Sequence, residues 1–262
     1  MNIRGYAASC RMFFIDMMAF PIGIVMSSLY MALFFFILTQ VWLTIYGQGS
    51  SLEGMSVVAM IWYLCIAEAT TVAATNPQNE IAKEIISGSV AHELNKPYDY
   101  FLLRFVKSMV EVSVKTFVVL TVGFFIAWLA VGLPEVSVTG ILLTIASMFL
   151  ANTVAFLGRG TIGLLAFMFE NVDGLAMSYV TMELILGGIF FPLDMFPPAI
   201  AAFTKWTPFA ASIYWPAHIF VNPGMNIVLE AFTVQLVWIL ILAILSRIVF
   251  AIGVRKVQIH GG

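Results

Sequence analysis

The sequence predicts an all-α polytopic membrane protein with six transmembrane helices, an N-terminal interfacial helix, a cytoplasmic amphipathic helix and a re-entrant outer hairpin. Three observations lead there. With 61% hydrophobic and 10% charged residues and a mean hydropathy of +1.01, a chain of 262 residues has too little polar surface to coat a soluble globule. Its apolar runs match the roughly 20 residues that a helix needs to cross about 30 Å of hydrocarbon. Between them stand turn-forming clusters: Gly47 to Ser51, Asn76-Pro77, Leu133-Pro134-Glu135 and Asn222-Pro223-Gly224.

Taken in order, residues 1–16 place Tyr6, Cys10, Phe13 and Phe14 at helical spacing with Arg4 and Arg11 in other directions, as in a helix lying on the inner surface. Spans follow at 18–46, 55–75, 108–132, 138–158, 175–191 and 227–252, in a single domain covering 1–262. The first apolar run is too long for a signal peptide and lacks a small-residue cleavage site, so it stays as a span. The Gly158-Arg159-Gly160 sequence marks either a kink in the fourth span or its inner end.

The longest polar stretch is 76–107. Asn76 is placed to cap a helix that begins at Pro77, where Ile81, Ile85, Ile86 and Leu94 form an apolar stripe opposite Glu80, Lys83, Glu84 and Glu93, and Asn95-Lys96-Pro97 stops it. Such a helix suits the groove of a soluble partner. In 192–221, Pro192, Pro197, Pro198, Pro208 and Pro216 divide apolar pieces too short to cross, which predicts a re-entrant pair ending the fifth span.

Basic residues fix the orientation. With a cytoplasmic N-terminus, Arg4, Arg11, Lys83, Lys96, Arg104, Lys107, Arg247, Arg255 and Lys256 all fall near inner ends and only Lys205 lies clearly outside. Trp42, Trp128, Trp206 and Trp215 then fall at outer ends, where indole favours the interface. Both chain ends face the cytoplasm.

Charges inside spans cost roughly 2.5 to 3.5 kcal/mol each at mid-bilayer, so they need a reason. Glu68 and Glu183 either line a cavity that attracts a cation or pair with Arg159 and nearby hydroxyls. Glu111 and Lys115, four residues apart, form a self-contained ion pair. Cys10 and Cys65 serve packing, and His92, His218 and His260 share no metal-ligand spacing. No basic-aromatic interleaving points to nucleic acid, and no GxSxG elbow points to hydrolysis.

The order of these segments resembles the exporter permeases of the ABC type-2 superfamily. The strings EIISGSVAHELNKPYDY, TIGLLAFMFENVDGL, LGGIFFPLDMFP and WTPFAASIYWPAHIFV are similar to a bacterial subfamily of paired permeases, some of which export toxic organic cations. The resemblance implies a non-catalytic permease subunit in the bacterial cytoplasmic membrane, working with a second permease subunit as a homodimer or an unlike pair. It also implies a separate ABC ATPase subunit that holds ATP and magnesium. This chain has no GxxxxGK(S/T) loop of its own and takes no cofactor.

By that resemblance Glu80, Ile81, Lys83, Glu84, Ile85, His92 and Glu93 belong to a coupling helix inserted into the ATPase. Glu68, Glu183 and Arg159 become candidates for the translocation pathway, and Phe190, Phe191, Pro192, Asp194 and Pro197 for an outer gate. The substrate expected is a small amphipathic, cationic or lipid-like molecule. An ion-coupled carrier without a motor, or a scaffold for envelope assembly, is the alternative; the missing inverted repeat counts against the carrier.

Overall fold

The computed structural model describes residues 3–47 and 55–260, with side chains for 5–47 and 55–255. The expected turn at Gly47 to Ser51 falls outside that range from Gln48 on, as do the side chains of Arg4, Lys256 and His260. All regular structure among the described residues is helical.

The helices are α1 (Ile3–Ala19), α2 (Ile22–Gly47), α3 (Val57–Ala73), α4 (Pro77–Ile86), α5 (Val90–Leu94), α6 (Tyr100–Val131), α7 (Val138–Leu164), α8 (Asp173–Leu186), α9 (Pro198–Lys205), α10 (Pro208–Ser212), α11 (Tyr214–Val221) and α12 (Met225–His260). Polar side chains cap four of the described starts, Thr207 doing so for α10 by accepting from Ala210. Ser56, Asp99 and Ser137 each accept a free amide of the first turn, from Ala59, Leu102 and Gly140 respectively.

Among the described residues, five helical segments are long and apolar enough to cross a membrane: Ile22–Gly47, Val57–Ile86, Tyr100–Val131, Val138–Phe167 and Met225–Arg255. The expected fifth span is the exception. Its helix, α8, has 14 residues and ends at Leu186, because the chain turns at Gly187 and Gly188. At 1.5 Å per residue it reaches about 21 Å, short of the hydrocarbon thickness.

Other boundaries shift for local reasons. The first span starts at Ile22, after Pro21 separates it from α1, which packs along α6. The third helix begins at Tyr100, two turns earlier than expected. α7 runs unbroken through Gly158-Arg159-Gly160 to Leu164, so that sequence is not its inner end. The amphipathic helix expected from Pro77 to Leu94 is two helices. Ser87-Gly88-Ser89 divides them, with Gly88 at φ +75°, a conformation that L side chains resist.

α3 and α7 form the centre. Every residue from Met60 to Thr70 is buried, as is almost every residue from Ala151 to Leu164. α2 and α6 cover α3 from one side, α12 lies along α7, and α11 packs against both central helices. Gln235 of α12 is fully buried: it donates to the carbonyls of Ser147 and Ala211, both at 3.1 Å, joining α12 to α7 and α10. The outward faces of α2, α6 and α12 are apolar, with Leu33, Phe117, Leu129 and Leu240 exposed.

The molecule has two ends. One carries α9 to α11 and the Gly132 to Ser137 loop, whose Gly132 carbonyl accepts from Trp62 at 3.2 Å. The other carries α4, α5 and the start of α6, where Tyr100 stacks on Phe250 of α12 with centroids 6.1 Å apart. At this second end α4 lies so close to α7 that a Cβ on Gly163 would stand 2.9 Å from the Cα of Gln78. Backbone cannot move aside as a flexible side chain can. Gly163→Ala is therefore expected to lower thermal stability, by roughly 1 to 3 kcal/mol, against the approximately 1 kcal/mol that alanine ordinarily adds to a helix. A raised melting temperature in detergent would show that α4 does not pack this way.

Candidate functional site

Three groups of side chains connect the two ends. At mid-height, Arg159 of α7 is 4% exposed and Glu183 of α8 is 1% exposed; Arg159 Nε donates to Glu183 Oε2 at 2.8 Å. The same guanidinium donates through Nη1 to the Thr75 carbonyl at 2.8 Å and to Asn76 Oδ1 at 3.4 Å. One cation thus ties α7, α8 and the α3–α4 junction. Asn76 was expected to cap α4, yet it makes no side-chain cap; its oxygen turns toward Arg159 and Gln78 instead. Glu68 does not join this group. It is 1% exposed, and its Oε1 has no hydrogen-bond partner.

At the α4–α5 end, acids and bases clamp the helices onto α6. Glu84 pairs with Arg104 at 2.6 Å and accepts from Tyr100 at 2.5 Å, while Lys107 reaches Glu80 at 2.7 Å. Glu93 is held by Lys96 at 2.6 Å and by Tyr98, and Asp99 by Arg247. Ile81 is fully buried, and Ile85 is half-buried against the core. The outward residues of α4, α5 and the turn between them are Asn79, Glu80, Lys83, Ile86, Ser87, Gly88, Ser89, Ala91 and His92, with Ile86 59% exposed. A helical stripe cannot by itself say which of two surfaces will claim it.

At the opposite end, Asp194 organises the hairpin. It accepts from Lys205 at 2.6 Å and from Tyr214 at 2.8 Å, and His218 Nδ1 approaches it at 3.4 Å without hydrogen-bond geometry. Tyr63 donates to the Gly188 carbonyl at 2.8 Å, Trp42 to that of Phe190 at 3.2 Å, and Trp238 to that of Trp206 at 2.8 Å. Trp215, expected at the interface, is 2% exposed and donates to Lys205 O at 3.1 Å. Pro192 is buried, Pro197 precedes α9, and Phe190 and Phe191 are exposed, Phe191 lying 5.2 Å from the Phe196 ring.

Electrostatics there favour one charge state. Burial alone would raise the Asp194 carboxyl, but the hydrogen bonds from Lys205 and Tyr214 and the charge of Lys205 outweigh it and hold it below the usual range. Burial pushes the His218 imidazole down, beyond the upward pull of Asp194, and Lys205 adds to the effect. His218 is therefore a neutral ring stacked on Tyr214 at 4.9 Å, not the cationic half of an ion pair.

A family model described as ABC-2 family transporter protein matches residues 26–261, nearly the whole chain. The chain belongs to the ABC-2 transporter family. No curated protein matches it. As an ABC-2 family protein it is a multi-pass membrane transport component, of a kind that is generally non-catalytic and works with ABC ATPase partners. Among the described residues no three His, Cys, Asp or Glu side chains group as metal ligands.

Sequence reasoning singled out Glu183, Arg159 and Asp194 but missed the hairpin contacts of Trp42 and Tyr63, which come from distant positions, and those of Lys205 and Tyr214 within it. The available signal was aromatic donors facing a segment whose prolines and glycines leave carbonyls unpaired.

Two predictions follow from this geometry. Arg159→Met is expected to cost about 3 to 5 kcal/mol by stranding buried Glu183, and Arg159→Met with Glu183→Met to cost less than the single change, both read by thermal unfolding. Acidification is expected to loosen the hairpin. With its folded value below the unfolded one of about 6.5, neutral His218 stabilises above that pH, and the contribution is lost as pH falls through it; depressed Asp194 acts in the same direction only below about 4. Amide protection factors over 193–221, taken relative to the intrinsic exchange rate at each pH, should fall between about pH 7 and 5, and His218→Phe should remove that response.

Proposed function

We infer that this chain is the permease subunit of an ATP-driven exporter and that the α4–α5 turn is where a separate ATPase engages it. The observation that carries this reading is the turn itself. Ile86, Ser87, Gly88, Ser89 and His92 project from an otherwise clamped end, backed by buried Ile81 and Ala82 and by the Glu80–Lys107 and Glu84–Arg104 pairs. A rigid mount with an apolar tip transmits force; a floppy loop would absorb it. The basic residues support a cytoplasmic location for this end, since Lys83, Lys96, Arg104, Lys107 and Arg247 gather there and Lys205 sits at the other. Both termini would then be cytoplasmic, in the bacterial inner membrane.

Movement at the tip has a route. α4 meets α3 at Thr75 and Asn76, where Arg159 bonds both and carries displacement to Glu183 of α8 and so to the hairpin. In this reading Arg159 and Glu183 act within the protomer, and Glu68 is the remaining pathway candidate. The hairpin is re-entrant: α8 supplies about 21 Å, and its Gly188 carbonyl meets Tyr63, which lies two turns, about 9 Å, inside α3. Together these lengths match the hydrocarbon thickness.

Paired with a second permease, like or unlike, two such hairpins would meet over a shared cavity. Phe190 and Phe191 would close it, Pro192 and Pro197 would set the bend, and Asp194 would hold the fold. ATP and magnesium stay on the motor subunit, and substrate, a small amphipathic, cationic or lipid-like molecule, moves outward by alternating access.

Purification from native membranes is expected to retain a soluble ATPase. Ile86→Asp should weaken that association at least about fivefold while leaving thermal stability unchanged, because the side chain faces outward. Absence of any ATPase would defeat the reading, and unchanged association in Ile86→Asp would move the contact elsewhere.

A further inference from the structure

Beneath the Gly132 to Ser137 loop lies a crevice in two connected parts. The deeper part, of about 410 Å³, is enclosed by Cys65 of α3, Leu120 and Phe124 of α6, and Ile145 and Met148 of α7. A shallower part, of about 480 Å³, opens at the loop and adds Ser56 and Glu135. Trp62, Leu133, Pro134, Val136 and Phe220 line both, so the two are continuous.

Trp62 forms the partition. Its indole N–H is committed to the Gly132 carbonyl, and its ring is held by Phe124 at 5.4 Å and Phe220 at 5.7 Å. The wall is therefore preset rather than waiting to collapse.

We propose that this crevice binds one cationic amphiphile, with its tail in the apolar chamber and its head beside Glu135. The chamber lies among residues of three membrane-crossing segments, and its volume falls within the range of small-molecule pockets. Charge selects the head. Glu135 is the one ionisable side chain lining either part, apart from the buried thiol of Cys65, and no lysine or arginine lines them to receive a phosphate or sulfate. Burial of its methylenes holds a hydrocarbon tail in the deep part, and the exposed carboxylate adds preference rather than bulk affinity. The site is contained within one protomer and thus differs from a cavity shared between two. It rests on the exporter reading only for its purpose, as a place that substrate occupies near the outer face on its way out; occupancy itself needs no motor.

The test is equilibrium binding of radiolabelled dodecyltrimethylammonium to the purified full-length chain in maltoside micelles, whose uncharged heads compete equally with every probe. Dodecanol and dodecyl sulfate serve as the neutral and anionic comparisons. The cation is expected to bind saturably and more tightly than the sulfate. Glu135→Gln should weaken the cation roughly threefold to fivefold and leave dodecanol unchanged. Ile145→Trp, which fills the chamber from an exposed position, should weaken both. Leu133→Arg, on the exposed loop, should reverse the preference toward the sulfate without entering the core.

Equal binding of all three probes, or cation affinity unchanged in both Glu135→Gln and Leu133→Arg, would overturn the charge assignment. Dodecanol binding unaffected by Ile145→Trp would overturn the site. Because no ATPase is present, failure here leaves the exporter reading standing, and loss of ATPase association would leave this site standing.

Discussion

The buried contact between Arg159 and Glu183 is the constraint on which the rest of the bundle depends. Neither charge reaches water, so each must be answered inside the protein, and the guanidinium's remaining donor turns to Thr75 and Asn76 where α3 gives way to α4. Replacing such a pair with matched apolar groups often costs little stability. Its value here lies in position. The planar fork of an arginine fixes three helices at defined angles, which a greasy contact would leave free to slide.

The hairpin end faces a different problem. A chain that turns at buried Gly187 and Gly188 leaves carbonyls that must find partners inside the protein. Phenol and indole donors from α2, α3, α11 and α12 supply the partners, so the aromatic residues of this protein act as backbone bonding groups as much as apolar filling. Asp194 adds the polar centre. Lys205 and Tyr214 fix the carboxylate, and burial keeps His218 neutral beside it.

Five of the six expected spans, their order and the bend after Leu186 were legible in the sequence because hydrocarbon thickness and proline geometry act locally. The helix break at Gly88 was less so. An apolar stripe from Ile81 to Leu94 fits one amphipathic helix as well as two, and only the packing of Ile81 and Ala82 on α7 shows which apolar residues are claimed by the protein itself. Ile86 and His92 remain outside. The pairing of Glu183 with Arg159 stood among the alternatives that residue types allowed, whereas the isolation of Glu68 did not follow from them.

By itself the sequence determined that this chain lives in a membrane, where its helices begin and end to within a turn or two, and which family it resembles. Those properties depend on composition, on period and on residues close together in the chain. Tertiary structure decided which charges pair, which face of α4 is left for a partner, and how far α8 can reach before the hairpin must take over. Those outcomes depend on contacts between residues such as Tyr63 and Gly188, or Arg159 and Thr75, whose separation along the chain hides that they share one site. A buried polar group must find its partner wherever the fold brings one near, and that search is settled in three dimensions.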